Sequence, residues 1–589
     1  MATPATQPPS VGEEQDVEKK FAADENAKEL KEGHETESDS SSAHKQDGVR
    51  RVEAITTVWS KELLVVMFVL LYIVTFVGML LQSVQANLVP YVTSAFNKHG
   101  LLATTGIVAT IIGGVCRLTI AKIIDIWGRC EGFIFMVVLV VIGMIMKATC
   151  VNVEMYAAAH TLYWVGHLGM QYVIDIMLAD TTTLKNRMIM FGINSTPTIA
   201  TTFAGPKIAD LFYTNVNFRW AFGAFSIILV VFCAPVAVIF ILSKRKAVRL
   251  GVYPSRVKSR TAWESVKHYF IEFDVIGMLL TIAGWSLLLL PFSIVTYAPN
   301  GWKTGYIIAM IVLGVVLLAA FAVWEKYFAP VAYFPFKFLK DRTILAACVL
   351  YGVMFLSIYC WDGYYGSYLQ VVHDQSITIS GYVLNSFSLT SSFIGPFVGL
   401  IIRQTGNYKW TAMAGIPFCV LGTVLLIHFR TPDAYVGYLV MCQIFNGVSS
   451  GIWVLAAQLA IMASVTHQEI AVAMAIFGLF GSIGAAIGLA IAGALWNNVL
   501  PQKLLEFLPE ESKSLAPKIF GNIAVQKSYP MGSPIREAII LAFGDVQRKM
   551  VIAGSAFIPI CVICLVVWKN INVVKLEETR GKQTKGNVW

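Results

Sequence analysis

Only 14% of the 589 residues are charged, while 56% are hydrophobic. A soluble enzyme of this length would need about a quarter of its residues charged, so a large water-facing globule is excluded. No P-loop, nucleophile triad or zinc spacing occurs, and no motif for phosphate, acyl-transfer or metal-assisted chemistry is left. Residues 1–58 hold neither an apolar run nor a cleavable signal sequence, and their Glu, Asp, Lys and Ser content reads as a disordered cytosolic tail. The ten cysteines lie mostly within or beside apolar runs, which argues against a disulfide framework. Cys561 and Cys564 form a Cys-x-x-Cys inside the last apolar run without His or acidic company, so a metal or redox role is not expected there. The net charge of +9 does not point to nucleic acid, because the basic residues fall in short gaps between apolar runs.

What is present is a succession of apolar runs, each long enough to cross about 30 Å of hydrocarbon as a helix. They lie near 63–84, 103–124, 132–150, 155–178, 188–210, 219–242, 273–295, 304–324, 343–368, 379–402, 411–429, 435–458, 470–495 and 550–569. The prediction is an all-α polytopic membrane protein of about 14 transmembrane helices. Eight Lys and Arg between Lys244 and Lys267 mark that gap as cytosolic, whereas residues 369–378 carry none; both termini are then cytosolic. Six crossings (59–242), a basic loop with two inserted crossings (243–342) and six more (343–569) leave a cytosolic tail at 570–589. The outer gap 497–549, with five prolines and amphipathic pieces, reads as either a packed cap or a tolerated insertion.

The stretch AKIIDIWGR (Ala121 to Arg129) sits between two of these runs. Asp125 falls one turn beyond Ala121, Gly128 sits where the chain must reverse, and Arg129 can meet a carboxylate or cap a helix end. GLIIRQTGNYK repeats the spacing with Gly399, Arg403 and Gly406. An ordinary membrane-surface turn explains either copy alone; the repeat favours a gating loop in each of two related halves. This device resembles the loop motif of the major facilitator superfamily, with Ala121 replacing the usual first Gly and Arg403 the Asp. That resemblance implies the superfamily fold in its 6+2+6 form.

On the fourth run, steps of about 100° per residue put His160, Trp164, His167, Gln171 and Asp175 on one stripe. Such groups are costly in lipid, so the stripe should face a cavity, unless it only glues helices together. Arg117 is the natural ionic partner for Asp175 or for the loop, or else a snorkelling residue. The ninth run places Tyr351, Trp361, Asp362, Tyr365 and Tyr368 on one face, suiting a large, weakly charged organic ligand; an interfacial aromatic belt is the alternative for Tyr368. The twelfth run adds Gln443, Asn446, Ser450 and Trp453. Asp175 and Asp362, one per half, are the expected proton-coupling groups, and His167, Gln171 and the aromatic and amide residues the expected substrate lining. Gly481, Gly484 and Gly488 are expected to allow close helix approach.

Four stretches together resemble the fungal siderophore (siderochrome) iron transporter family: AKIIDIWGR, DTTTLKNR (Asp180 to Arg187), FAGPKIAD (Phe203 to Asp210) and YYGSYLQVV (Tyr364 to Val372). The likeness spans about residues 50–575. It implies import of ferric siderophores by proton symport at the plasma membrane, with endosomal cycling left open, and partners limited to siderophore, protons and lipid. No cofactor is implied, since the iron travels inside its ligand. FAGPKIAD carries Gly205-Pro206, reminiscent of the Gly-x-x-x-Gly-Pro motif of proton-coupled exporters, with Thr201 for the first Gly, so an exporter of drugs, toxins or glutathione stays open as the alternative.

Overall fold

The computed structural model describes residues 51–580 except 52–53, 97–101, 253–261, 296–297, 332–333, 335 and 467–468. The expected tails at 1–58 and 570–589 therefore lie largely outside the described residues. The first half is built from α1 (Lys61–Ala95), α2 (Leu102–Ile126), α3 (Arg129–Thr149), α4 (Val153–Thr181), a broken pair α5 (Leu184–Ser195) and α6 (Pro197–Asn215), and α7 (Phe218–Arg249). An amphipathic helix α8 (Ala262–Glu272) leads into α9 (Val275–Leu289) and α10 (Gly305–Tyr327). The second half holds α11 (Arg342–Asp362), α12 (Tyr365–Val371), α13 (Ile377–Thr405), α14 (Tyr408–Met413), α15 (Ile416–Phe429), α16 (Val436–Ser464), α17 (Ile470–Phe507), α18 (Pro534–Ser555) and α19 (Ile558–Val567). No named strand occurs among the described residues; Asn407 and Asn572 make an isolated bridge.

Local chemistry sets the helix starts. Ser60, Asn152, Ser376 and Ser533 each accept a backbone N–H from the first turn of the helix that follows, meeting a donor that no carbonyl can reach. Among the described residues, twelve helical spans are long and apolar enough to cross a membrane. The helix α4 and the α5–α6 pair are not among them, because their polar residues interrupt the apolar run. Both nevertheless pack within the bundle, α4 on α2 and α3 and the α5–α6 pair on α1 and α13. Polar residues inside a bundle of this kind are placed where protein, not lipid, meets them.

The two halves meet along two related seams: α2 lies along α17, and α5 and α6 lie along α13. The second helix of one half thus faces the fifth of the other, twice, which is a pseudo-two-fold arrangement. With no hydrophobic drive between helices in lipid, close contact depends on small residues. A Cβ on Gly484 of α17 would run into the Gly352 carbonyl of α11, so only glycine lets these two backbones touch. The pair α9 and α10 pack on each other and hang on α2 through the bond from Lys122 Nζ to the Glu272 carbonyl (2.8 Å).

The gap expected at 497–549 is shorter in the structure. α17 runs on to Phe507 and α18 begins at Pro534, leaving residues 508–533 to fold as short helices. Ile519, Ile523 and Phe520 are buried against Tyr364, Tyr368 and Trp496. Arg536 fixes the segment, donating to the carbonyls of Gln526 (2.6 Å) and Val371 (2.7 Å). A packed cap, rather than a loose insertion, closes this end of the second half.

Candidate functional site

At the face that carries the chain ends, the AKIIDIWGR turn is organised by Arg129. Gly128 adopts φ +119°, a conformation open to glycine, and reverses the chain between α2 and α3. Arg129, 4% exposed, then points back: its Nε donates to Asp180 Oδ2 at 2.9 Å and its Nη1 to the Ile124 carbonyl at 2.9 Å. Arg187 donates to the carbonyls of Ala179 (2.9 Å) and Thr182 (3.2 Å), closing the end of α4. AKIIDIWGR and DTTTLKNR are therefore two sides of one latch joining α2, α3 and α4. The Asp125 side chain lies outside the described residues.

The second copy is built differently. Gly406 has φ +69°, its carbonyl accepts the Val573 N–H (3.0 Å), and its neighbour Asn407 bridges Asn572. Arg403 is exposed and makes no ion pair among the described residues, so the charge expected to act as a latch does not do so here. This turn is clamped instead by the segment after α19. On the same face Lys569 Nζ donates to Asp341 Oδ2 (2.6 Å), and that bond with the Thr343 and Ile344 N–H groups outweighs partial burial and holds the Asp341 carboxyl below its ordinary range.

Between the halves, α2, α4, α11 and α17 enclose a cavity of about 50 Å³ lined by Arg117, Trp164, Tyr351, Phe355, Tyr359 and Ser482. Arg117 carries its charge within electrostatic reach of Asp175, Tyr351 and His167, without an ion pair to Asp175. Its guanidinium presses on Gly478 of α17, where any side chain would collide with it. His167 and Gln171 turn toward Gly78 of α1, and His167 Nδ1 has no hydrogen-bond partner. The structure thus brings Asp175 and Tyr351 within electrostatic reach across the two halves, while His167 and Gln171 face α1 of their own half. Organic ligand pockets occupy roughly 300–1,000 Å³, so this cavity is smaller than a large organic ligand needs.

A second group lies deeper toward the capped face. Trp361, Asp362, Tyr365 and Tyr368 surround Arg430, the residue that ends α15 and is fully buried. The guanidinium stands 3.7 Å above the Tyr365 ring and about 6 Å from those of Trp361 and Tyr368. Tyr368 is fully buried rather than at a lipid interface. Arg430 escaped the sequence reading because it sits at the end of an apolar run, where a snorkelling side chain is the ordinary expectation.

Its counterpart in the first half, also unforeseen, is Lys147 near the end of α3. Fully buried, it contacts Gln85 Oε1 at 2.5 Å and His160 Nδ1 at 2.9 Å, and lies 4.1 Å over the Tyr163 ring. Each half therefore buries a cation among aromatic rings at the C-terminal end of its third helix.

Two expected lining residues are placed elsewhere. Trp453 Nε1 donates to the Ala412 carbonyl (2.9 Å) and its ring packs on Gly415, while Asn446 bonds Thr423 and the Cys442 carbonyl. Both serve packing of α16 on α14 and α15, because the rotation of α16 turns that part of the stripe away from the seam. Gln443, one turn earlier, is fully buried with its amide beside the Tyr365 hydroxyl. Gly205 packs on Ser83 and Pro206 on Gly381 of α13, so the Gly-Pro step belongs to the seam between halves.

Two pseudo-symmetric helical halves closing on a polar, aromatic seam define a secondary carrier of the major facilitator type, and comparison with known proteins agrees. A family model described as Major Facilitator Superfamily matches residues 71–372. MFS siderochrome iron transporter 1 of Ajellomyces capsulatus is 54% identical over 574 residues, covering 98% of each chain. Siderophore iron transporter mirB of Emericella nidulans is 41% identical, covering 92% of this chain and 90% of that one. Among solved structures, a bacterial homologue of the human lysosomal transporter Spinster, inward-facing and unoccupied, superposes with TM-score 0.54 at 12% identity, covering 87% of this chain and 98% of that one. A peptide transporter POT in complex with sulfate gives TM-score 0.52 at 15% identity, over 85% and 96% of the two chains. The chain belongs to the fungal siderophore iron transporter family of the major facilitator superfamily. It is a multi-pass membrane protein with a transport rather than an enzymatic role.

Proposed function

We propose that this chain imports ferric siderophore complexes, of hydroxamate type, across the plasma membrane by proton symport, with about fourteen crossings and both termini in the cytosol. The observation that carries this reading is the near full-length likeness to proteins named siderochrome iron transporters. The chemistry of the seam agrees with it. A ferric hydroxamate keeps its iron coordinated by its own oxygens, so the protein has to supply rings and hydrogen bonds, not metal ligands. Among the described residues no group of three His, Cys, Asp or Glu could hold a metal ion, and the aromatic residues cluster around the seam and Arg430.

Asp175 and Asp362 are the coupling groups in this reading. Each is partly buried, and each lies within electrostatic reach of a cation, the half-buried Arg117 or the buried Arg430. A proton taken up at either carboxyl from outside and released inside would tie substrate movement to the membrane potential. One proton crossing about 100 mV contributes roughly 2.3 kcal/mol, enough for about fiftyfold accumulation of a neutral solute. Alternating access follows from rocking the halves about the seam, the Arg129–Asp180 latch holding the cytosolic side shut.

The test compares Asp175→Asn and Asp362→Asn with the parent in cells that accumulate ferric siderophore. Loss of proton-driven accumulation with binding retained supports the assignment, and unchanged uptake in both variants sinks it. Net efflux of a preloaded compound would replace the import reading with export, the alternative that the degenerate Gly205-Pro206 motif leaves open.

A further inference from the structure

Arg430 makes no ion pair among the described residues and leaves most of its five N–H donors unmet there. Nη1 donates to Gln547 Oε1 at 3.1 Å, while Nε and Nη2 have no partner at all, although the side chain is fully buried. Nε–H and the Nη2–H beside it form the edge of a guanidinium that grips a carboxylate with two parallel bonds. Around that edge, the Tyr368 hydroxyl and Nε2 of Gln547 are likewise buried with no hydrogen-bond partner among the described residues, and the Tyr365 hydroxyl lies beside the Gln443 amide. Asp362 influences Arg430 electrostatically but forms no ion pair with it in this structure.

Leaving buried donors unmet is costly, so a packing role alone does not account for them. The first half provides the contrast. Lys147 occupies the related position at the end of the third helix, yet Gln85 and His160 meet it and the Tyr163 ring covers it. Where the fold only has to bury a cation it finds partners for it. Arg430 keeps its bidentate edge free, within an aromatic cage, on the side of the molecule closed by the 508–533 cap.

We propose that the free edge of Arg430 is a specificity site for a carboxylate carried by the ferric siderophore, with Tyr365, Tyr368 and Gln443 completing its hydrogen bonds. The inference rests on the reading of this chain as a siderophore importer and narrows it: complexes with a free carboxylate are favoured over neutral or cationic ones of the same iron-binding core. Asp362, close by, acts against a second negative charge and favours release when the proposed proton leaves it.

The experiment uses one linear ferric trihydroxamate in three forms: with its terminal amine free (cationic), acetylated (neutral) and succinylated (anionic). Uptake of each, as radioactive iron, is followed in cells expressing the full chain. The parent should take the anionic form with an apparent KM about tenfold or more below the neutral one, the size of one charge-assisted bidentate contact. R430Q should raise the KM of the anionic form by that factor and leave the neutral form within about twofold, and R430K should restore part of the preference. Equal uptake of the three forms by the parent overturns the proposal even if R430Q fails to reach the membrane. So does an R430Q protein at normal surface level that loses all three forms alike. Absence of uptake of every form by the parent would instead overturn the import reading on which the proposal stands.

Discussion

Arg129 offers the sharpest perturbation of the latch. The pair it forms with Asp180 is 2.9 Å long and its partners are 4% and 11% exposed, so neither charge has water to fall back on. Removing one member of a buried pair leaves the other charged and unpaired, at a cost of about 3–5 kcal/mol, whereas removing both costs much less. R129Q further removes the bond to the Ile124 carbonyl at the end of α2, and D180N removes the carboxylate that Nε meets. Each single variant should therefore lower thermal stability in detergent and reduce uptake. The double variant R129Q/D180N should recover part of both, with a coupling of roughly 1.5–3 kcal/mol in the cycle. Thermal unfolding and initial uptake rates, each normalised to surface protein, give the four corners. Additive losses, or single variants within about 0.5 kcal/mol of the parent, would refute the argument that this ion pair holds the first gating turn.

Three further outcomes follow from named contacts. Replacing Gly484 with Val puts a side chain into the Gly352 carbonyl and should cost more than about 3 kcal/mol, read as lost surface expression, while Gly223→Ala, with open space around it, should stay within about 0.5 kcal/mol. Trp453→Phe should cost about 1 kcal/mol in thermal stability by removing the indole N–H bond to the Ala412 carbonyl, which keeps the Gly415 N–H, with substrate preference unchanged; an altered preference would return Trp453 to the lining. The Asp341 carboxyl is held below its ordinary range, so its folded pKa is depressed. The stabilisation it gives is therefore present above the ordinary carboxylate pKa and lost as pH falls through the lowered value. Acid titration of thermal stability should show a component that Asp341→Asn abolishes; an unchanged acid limb contradicts the assignment.

The fold was largely legible in the chain because membrane helices are written in long apolar runs, and a stripe at 3.6-residue spacing put His167, Gln171 and Asp175 on one helix, of which Asp175 comes within electrostatic reach of Tyr351 in the other half. The motif with Gly128 was legible too, since a reversal between two helices needs a residue free to take positive φ. What the chain concealed is long-range pairing. Arg129 meets a carboxylate 51 positions on, Lys147 meets Gln85 62 positions earlier, and Arg430 meets Gln547 117 positions later. Each cation, taken in its own helix, has the appearance of an end-of-run residue reaching for water. Trp453 and Asn446 were misplaced for a related reason: periodicity defines a stripe, whereas contacts such as Gly422 on Asn446 decide which way the stripe turns. Arg403 shows the limit of a repeated motif, because the turn after it is held by the backbone of the C-terminal segment and needs no charge.

The most direct test of the account is uptake of radioactive iron, supplied as several purified ferric siderophores, by iron-starved fungal cells lacking their own carriers and expressing this chain, with and without a protonophore. The account predicts accumulation of at least one complex, abolished by the protonophore. No accumulation of any complex despite surface expression, or accumulation indifferent to the protonophore, would contradict proton-driven import.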